Sequence, residues 1–130
     1  MATIPENLRY TNDHEWAEVR GDVVRIGITD YAQAALGDVV MVEVPKVGDK
    51  VAAGAVFGAV ESPKSVSDLF APISGTIVAV NEHLDMSPEK VNEDAYGAGW
   101  IVEIKADDAS SVESLLDAAA YAAHVDSLDH

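Results

Sequence analysis

The most informative segment of the chain reads Glu61-Ser62-Pro63-Lys64-Ser65-Val66-Ser67-Asp68. It lies between two apolar runs, so we expect it to connect two strands as a hairpin. Ser62 suits the first position of a β-turn and Pro63 the second, because the proline ring fixes φ. Lys64 then falls at the third position, at the outermost point of the chain. The segment therefore predicts a lysine on a rigid tip, while the turn type stays open.

Short β-branched runs, separated by glycine and proline, extend on both sides of this segment. They predict strands within Val23–Ile28, Val39–Val44, Val51–Val60, Val66–Phe70, Ile73–Val80 and Trp100–Lys105. Many short strands at regular intervals, without alternating helices, indicate a mainly β sandwich or barrel.

Helical patterns occupy less of the chain. Asp30 and Gln33 have the spacing of a capping box, and Gly37 is suited to end the short helix that follows. Near the C-terminus, apolar residues recur three or four apart, which predicts a helix at about 110–123. We expect the tail, residues 126–130, to be frayed.

Length and charge exclude several classes of function. A chain of 130 residues is the size of one domain, so we expect a single domain over 1–130. Eight Lys and Arg against 23 Asp and Glu give a formal net charge of −15. Such a field repels phosphate backbones and anionic lipids, which argues against nucleic acid and membrane partners.

The chain contains no cysteine, so any redox chemistry must come from an attached or bound group. The four histidines are scattered without metal-ligand spacing, which predicts no metal site; we interpret His14, His83, His124 and His130 as surface or strand-edge residues. The N-terminus has no secretory or transit-peptide character. We therefore expect a cytoplasmic protein, or a matrix protein only if a transit peptide has been removed.

An exposed lysine alone usually has no function, so the interpretation of Lys64 depends on the motifs around it. This chain resembles lipoyl and biotinyl carrier domains in an ordered series of segments, which are Val47–Gly54, Glu61-Ser62-x-Lys64 and Ala71–Gly75. The chain also resembles the H-protein family of the glycine cleavage system in further segments, which are His14-Glu15-Trp16, Gly27–Gln33, Leu36–Val40, Phe57–Ser62 and Val91–Trp100. The resemblance runs from about Tyr10 to Tyr121. Pro63 departs from it, since Val or Thr is expected there, and Ala95 stands where the family often has proline.

This resemblance implies a barrel-sandwich hybrid of two facing antiparallel sheets, with short helices and a C-terminal helix. It implies lipoate attached covalently to Lys64, as a carrier of the aminomethyl group that glycine decarboxylation produces. The implied partners are glycine decarboxylase (P protein), the aminomethyltransferase (T protein), dihydrolipoamide dehydrogenase (L protein), and a lipoate ligase or lipoyl/octanoyl transferase. The chain itself would be a shuttled substrate and not an enzyme.

The resemblance also assigns roles to residues near the lysine. Glu15 would stabilise the aminomethyl-loaded arm; alternatively, His14-Glu15-Trp16 simply begins a strand with Trp16 in the core. Four flanking residues would help the lipoylating enzyme to recognise the tip, and these are Glu61, Ser62, Ser65 and Asp68.

Two other functions stay open. One is a lipoyl or biotinyl carrier domain of another complex, although the methionines that usually flank a biotinylated lysine are replaced by Pro63 and Ser65. The other is an unmodified H-like protein that acts in lipoyl relay or regulation. In a mass measurement after incubation with lipoate or biotin ligases, a gain of biotin favours a biotinyl carrier of another complex, and no gain favours the unmodified H-like protein.

Overall fold

The computed structural model describes residues 3–128, without the side chain of Ala109. Within this range the strands are β1 (Arg9–Tyr10), β2 (Glu15–Arg20), β3 (Val23–Ile28), β4 (Met41–Glu43), β5 (Lys50–Val51), β6 (Val56–Ser62), β7 (Ser65–Phe70), β8 (Gly75–Val80) and β9 (Val102–Ala106). The helices are α1 (Asp30–Leu36), α2 (His83–Met86), α3 (Lys90–Glu93) and α4 (Ala118–Leu128), with a 3-10 helix at Ala109–Ser114.

The strands form two sheets. One has the order β1-β2-β3-β9-β8-β5 and the other the order β4-β6-β7. Every neighbouring pair is antiparallel. The predicted mainly β sandwich of two antiparallel sheets, with short helices and a C-terminal helix, is confirmed.

The core lies between the two sheets. Alternate residues of β3 turn inward, so Val24 and Ile26 are buried, and they share one apolar cluster with Val60 and Leu69 of the smaller sheet. A second cluster holds Tyr10, Trp16 and Tyr121, and it fastens α4 onto β1 and β2. Burial of apolar area between the two sheets gives a rigid frame for the turns that connect the strands.

Helix α1 begins one residue earlier than the capping-box prediction implied. The N-cap is Thr29, whose side chain accepts a hydrogen bond from the Ala32 amide at 3.2 Å. Asp30 lies in the first turn and accepts from the Gln33 side-chain amide at 2.7 Å. Thr29 takes the cap because it has extended backbone angles and is fully buried. Gly37 ends the helix as predicted, and its φ of +83° is accessible to glycine at little cost.

The C-terminal segment is not one helix over 110–123. The 3-10 helix ends at Ser114, and Leu116 then pairs with Tyr10 through two backbone hydrogen bonds of 2.8 and 2.9 Å. This pairing extends the chain locally, so α4 starts only at Ala118. Of the tail that was predicted to fray, residues 126–128 belong to α4, and residues 129 and 130 lie outside the described residues.

Candidate functional site: an exposed lysine beside a cleft

The predicted hairpin tip is present. Ser62 of β6 pairs with Ser65 of β7, which leaves Pro63 and Lys64 as a two-residue turn. The Ser62 hydroxyl donates to the Ser65 carbonyl at 3.3 Å and closes the turn. Neither turn residue has a positive φ, which excludes type II and the mirror-image turns and agrees with the φ that proline imposes.

Lys64 is exposed at this tip and, among residues 3–128, it takes part in no ion pair or hydrogen bond. Its side chain lies over Gly37 at the end of α1. A Cβ added to Gly37 would stand 3.3 Å from the Lys64 Cε atom, so the missing side chain leaves space for the lysine stem. Leu36, Asp38 and Pro63 complete a shallow groove around this stem. A free primary amine on a fixed backbone is the group that an acylating enzyme needs.

The four flanking residues differ in exposure. Ser62 is 8% exposed and serves the turn, whereas Ser65 and Asp68 are exposed. Glu61 is half-buried and pairs with Val66 across the hairpin. The structure thus brings all four within one hairpin next to Lys64, with Glu61 before the turn and Asp68 after it.

A cleft of about 240 Å³ begins beside the groove, and Leu36 lines both. One wall is α1, and the other is β7 from Ser65 to Leu69. Asp13 and His14, from the turn between β1 and β2, line the cleft as well. The cleft therefore has an apolar helix on one side and the carboxylates of Asp13 and Asp68 among its polar groups.

Glu15 lies next to the cleft but is not among the residues that line it. It is 1% exposed, and its carboxylate accepts hydrogen bonds from the Phe70 amide at 2.6 Å and the Thr11 hydroxyl at 3.2 Å. Burial raises the pKa of Glu15 to about 8, although the hydrogen bond from Phe70 opposes this shift. Glu15 thus connects the β1–β2 turn to the end of β7, whose earlier residues form a cleft wall.

The alternative interpretation of the His14-Glu15-Trp16 motif, that it begins a strand with Trp16 in the core, also agrees with the structure. Strand β2 starts at Glu15, and Trp16 is buried with its indole N–H donating to the Ala95 carbonyl at 2.9 Å. Trp16 is therefore a core residue.

Asp13, His14 and Tyr31 are among the cleft residues that were not predicted as site residues from the sequence. Asp13 directly precedes the His14 motif, and Tyr31 lies inside the Gly27–Gln33 motif, so adjacency to a motif was the available signal. His14 was interpreted as a surface or strand-edge residue, but it is only partly exposed and packs against other rings. No local pattern shows that these segments meet β7, because the contact depends on the sheet topology.

The comparisons with known proteins agree with this architecture. The family model for the glycine cleavage H-protein matches residues 8–128. A glycine cleavage system H protein of Acidobacterium capsulatum is 60% identical over 121 residues, which are 93% of this chain and 93% of that protein. The protein of the same name from Bacteroides thetaiotaomicron is 54% identical over 93% of this chain and 96% of its own length.

A solved structure gives the same result. The crystal structure of a glycine cleavage system H protein from Mycobacterium marinum matches with a TM-score of 0.87 and 45% identity, over 95% of this chain and 99% of that one. None of the helices within residues 3–128 has the length and apolar character needed to span a membrane. The chain therefore belongs to the glycine cleavage H-protein family, the lipoyl carriers of the glycine cleavage system.

Proposed function

We propose that Lys64 is the lipoyl attachment site and that the whole chain, residues 1–130, acts as one carrier domain without catalytic turnover of its own. The observation that carries this proposal is the exposed Lys64 amine, free of partners among the described residues, on a two-residue turn. An amide at this nitrogen would extend from the tip into solvent or across Gly37 toward the cleft.

The residues present suit lipoate. The chain has no cysteine, so a dithiol carrier needs an attached group. When bound, lipoate supplies the disulfide that accepts the aminomethyl group from glycine decarboxylation and passes it on. The partners are then glycine decarboxylase, the aminomethyltransferase and dihydrolipoamide dehydrogenase, with a lipoate ligase or lipoyl/octanoyl transferase for loading. The bacterial relatives support a cytoplasmic setting.

The hairpin around Lys64 serves the loading enzyme. Glu61 and Asp68 place a carboxylate on either side of the turn, and Ser65 is exposed beside the lysine. Ser62 contributes through the hydrogen bond that closes the turn. A defined turn lowers the cost of ordering the lysine in the active site of a ligase.

The cleft between α1 and β7 shelters the loaded arm. A site from which water is partly excluded slows hydrolysis of a labile group, and carboxylates there stabilise a cationic amine by charge-assisted hydrogen bonds. Asp13 and Asp68 line the cleft. Glu15 supports the arm from its position beside the cleft, because its carboxyl group accepts the hydrogen bond of the Phe70 amide at the end of β7.

Intact-mass spectrometry tests the attachment site. After incubation with a lipoate ligase, ATP and lipoate, the wild-type chain should gain one lipoyl group and Lys64→Arg none. Lys46→Arg, at another exposed lysine, is the matched control and should gain one. Lipoylation of Lys64→Arg contradicts the proposal. In a parallel incubation with a biotin ligase, ATP and biotin, a gain of biotin by the wild type indicates a biotinyl carrier. No gain in either incubation indicates an unmodified H-like protein.

A further inference from the structure

His14 occupies a backbone position that a residue with a side chain rarely takes. Its φ is +67°, and it is the one residue other than glycine with a positive φ within residues 3–128. Glycine would adopt this angle at lower cost. The chain nevertheless places an imidazole here, at the edge of the cleft that adjoins the Lys64 groove. Uncommon backbone angles held by the surrounding structure often mark functional positions.

A line of hydrogen bonds through Tyr121 and Thr29 holds this imidazole. The His14 Nδ1 atom is 2.9 Å from the Tyr121 hydroxyl, and that hydroxyl is 2.7 Å from the Thr29 Oγ1 atom. Thr29 also accepts the Ala32 amide as the N-cap of α1. The line connects α4, the β1–β2 turn and the start of α1, and its two hydroxyl-bearing residues, Tyr121 and Thr29, are fully buried.

One arrangement of protons uses every donor in this line. Thr29 accepts from the Ala32 amide and donates its hydroxyl hydrogen to Tyr121, and Tyr121 donates to the His14 Nδ1 atom. The imidazole then carries its proton on Nε2. With the opposite order, the Thr29 hydroxyl hydrogen would have no acceptor in the line. Burial raises the pKa of Tyr121 to about 12, so its hydroxyl stays a donor at neutral pH.

Contacts with two other rings also hold the imidazole in place. His14 lies 4.7 Å from the Tyr31 ring and 5.7 Å from the His124 ring, measured between centroids. Burial, and after it the neighbouring His124, lower the pKa of His14, whereas Asp13 acts in the opposite direction. A neutral imidazole keeps Nδ1 available as the acceptor for Tyr121. Tyr31 lines the cleft together with His14, so these contacts shape a continuous wall.

We infer that Tyr121, on the C-terminal helix, is a positioning residue for the arm cleft: its hydroxyl holds the His14 imidazole in the cleft wall. This inference rests on the proposed function, because the cleft must receive the arm attached to Lys64. It gives α4 a specific role, although none of the residues of this helix lines the cleft.

The first test uses the chain without lipoate. Tyr121→Phe removes only the hydroxyl group, and nitrogen NMR of His14 should then show loss of the single Nε2–H tautomer. Tyr10→Phe is a matched control, because Tyr10 is also fully buried, stacks on Tyr121 at 4.6 Å and bonds instead to the Pro5 carbonyl. The control should leave the His14 signals unchanged. An unchanged His14 in Tyr121→Phe, or an equal change in both variants, overturns the inference.

The second test uses the lipoylated chain loaded with the aminomethyl group. Formaldehyde release from Tyr121→Phe should be about threefold to tenfold faster than from the wild type, the size expected for loss of one hydrogen bond. His14→Asn, which tolerates the same backbone angle, should show a similar increase. The double variant should release no faster than His14→Asn alone, because Tyr121 acts through His14.

The remaining outcomes separate the two proposals. Additive effects in the double variant, or equal release from Tyr121→Phe and Tyr10→Phe, overturn the role of Tyr121 while leaving lipoylation intact. Failure of the wild type to gain a lipoyl group at Lys64 instead removes the proposed function, and the NMR comparison then decides the placement of His14 independently.

Discussion

The two turns that border the site differ in whether their side chains are held by hydrogen bonds. The turn between β6 and β7 projects Lys64 into solvent, and no described residue bonds to its amine. The turn between β1 and β2 holds Glu15 and His14 by hydrogen bonds to Phe70, Thr11 and Tyr121. The Lys64 turn belongs to the three-stranded sheet and the His14 turn to the six-stranded sheet, and each joins two hydrogen-bonded strands. The difference indicates that attachment requires a free side chain on a rigid backbone, whereas a cleft wall requires fixed side chains.

The largest effect is expected from replacing the buried, titratable carboxyl group of Glu15 at the start of β2. The pKa of Glu15 is raised from 4.5 to about 8 by burial, so the folded chain binds more protons than the unfolded one between these values. Stability from protonated Glu15 is complete below pH 4.5 and is lost as the pH rises through about 8. Glu15→Gln should abolish this loss, whose slope reaches about 1.4 kcal/mol per pH unit.

Urea unfolding of both proteins at several pH values between 5 and 8 measures this slope. Glu89→Gln removes the same charge from an exposed side chain and is the matched control, which should keep the wild-type slope. Parallel stability curves for the wild type and Glu15→Gln would contradict the buried state of this carboxyl group. In the loaded state, equal formaldehyde release from the wild type and Glu15→Gln would show that Glu15 does not stabilise the arm.

A smaller effect is expected at the exposed turn. Glu61→Gln and Asp68→Asn should each lower the kcat/KM of lipoylation severalfold, because charges at the rim of an interface mainly change association. The effect should weaken with added salt, since exposed charges are screened. Steady-state kinetics with a lipoate ligase measures both, with Glu89→Gln as the control. Unchanged kinetics in both variants would assign these carboxylates to strand-end solvation alone.

The smallest effect is expected from Pro63→Val, which restores a residue that the family resemblance leads one to expect. Loss of the proline ring frees the unfolded chain, so the free energy of unfolding should fall by about 0.4–1 kcal/mol. Because Lys64 keeps its place in the turn, the lipoylation rate should change less than about twofold, which is below 0.5 kcal/mol. A tenfold change in rate would show that the exact turn geometry controls recognition.

The sequence was sufficient for the features that local chemistry determines. Ser62 and Pro63 predicted the turn correctly because their preferences depend on their own backbone angles. The strand pattern likewise predicted a mainly β sandwich or barrel, and the family resemblance implied its two antiparallel sheets. The C-terminal helix was placed too early because Leu116 pairs with Tyr10, a contact between residues far apart in sequence.

The cleft was beyond sequence reasoning for the same physical reason. His14 meets Tyr31 and Tyr121 only after β2, α1 and α4 have packed together. The Glu15 carboxyl group carries no local mark that distinguishes it from the many exposed acids. Its burial follows from the inward direction of the side chain at the start of β2, which the topology sets.

The most direct test of the central role of Lys64 is release of labelled CO₂ from carboxyl-labelled glycine in a mixture of the four proteins of the glycine cleavage system with tetrahydrofolate and NAD⁺. With the wild-type chain or Lys46→Arg, both treated with lipoate ligase, we predict sustained release that depends on this protein. With Lys64→Arg treated identically, we predict none above the background without it. Sustained release with Lys64→Arg, folded to the same stability, would contradict the account.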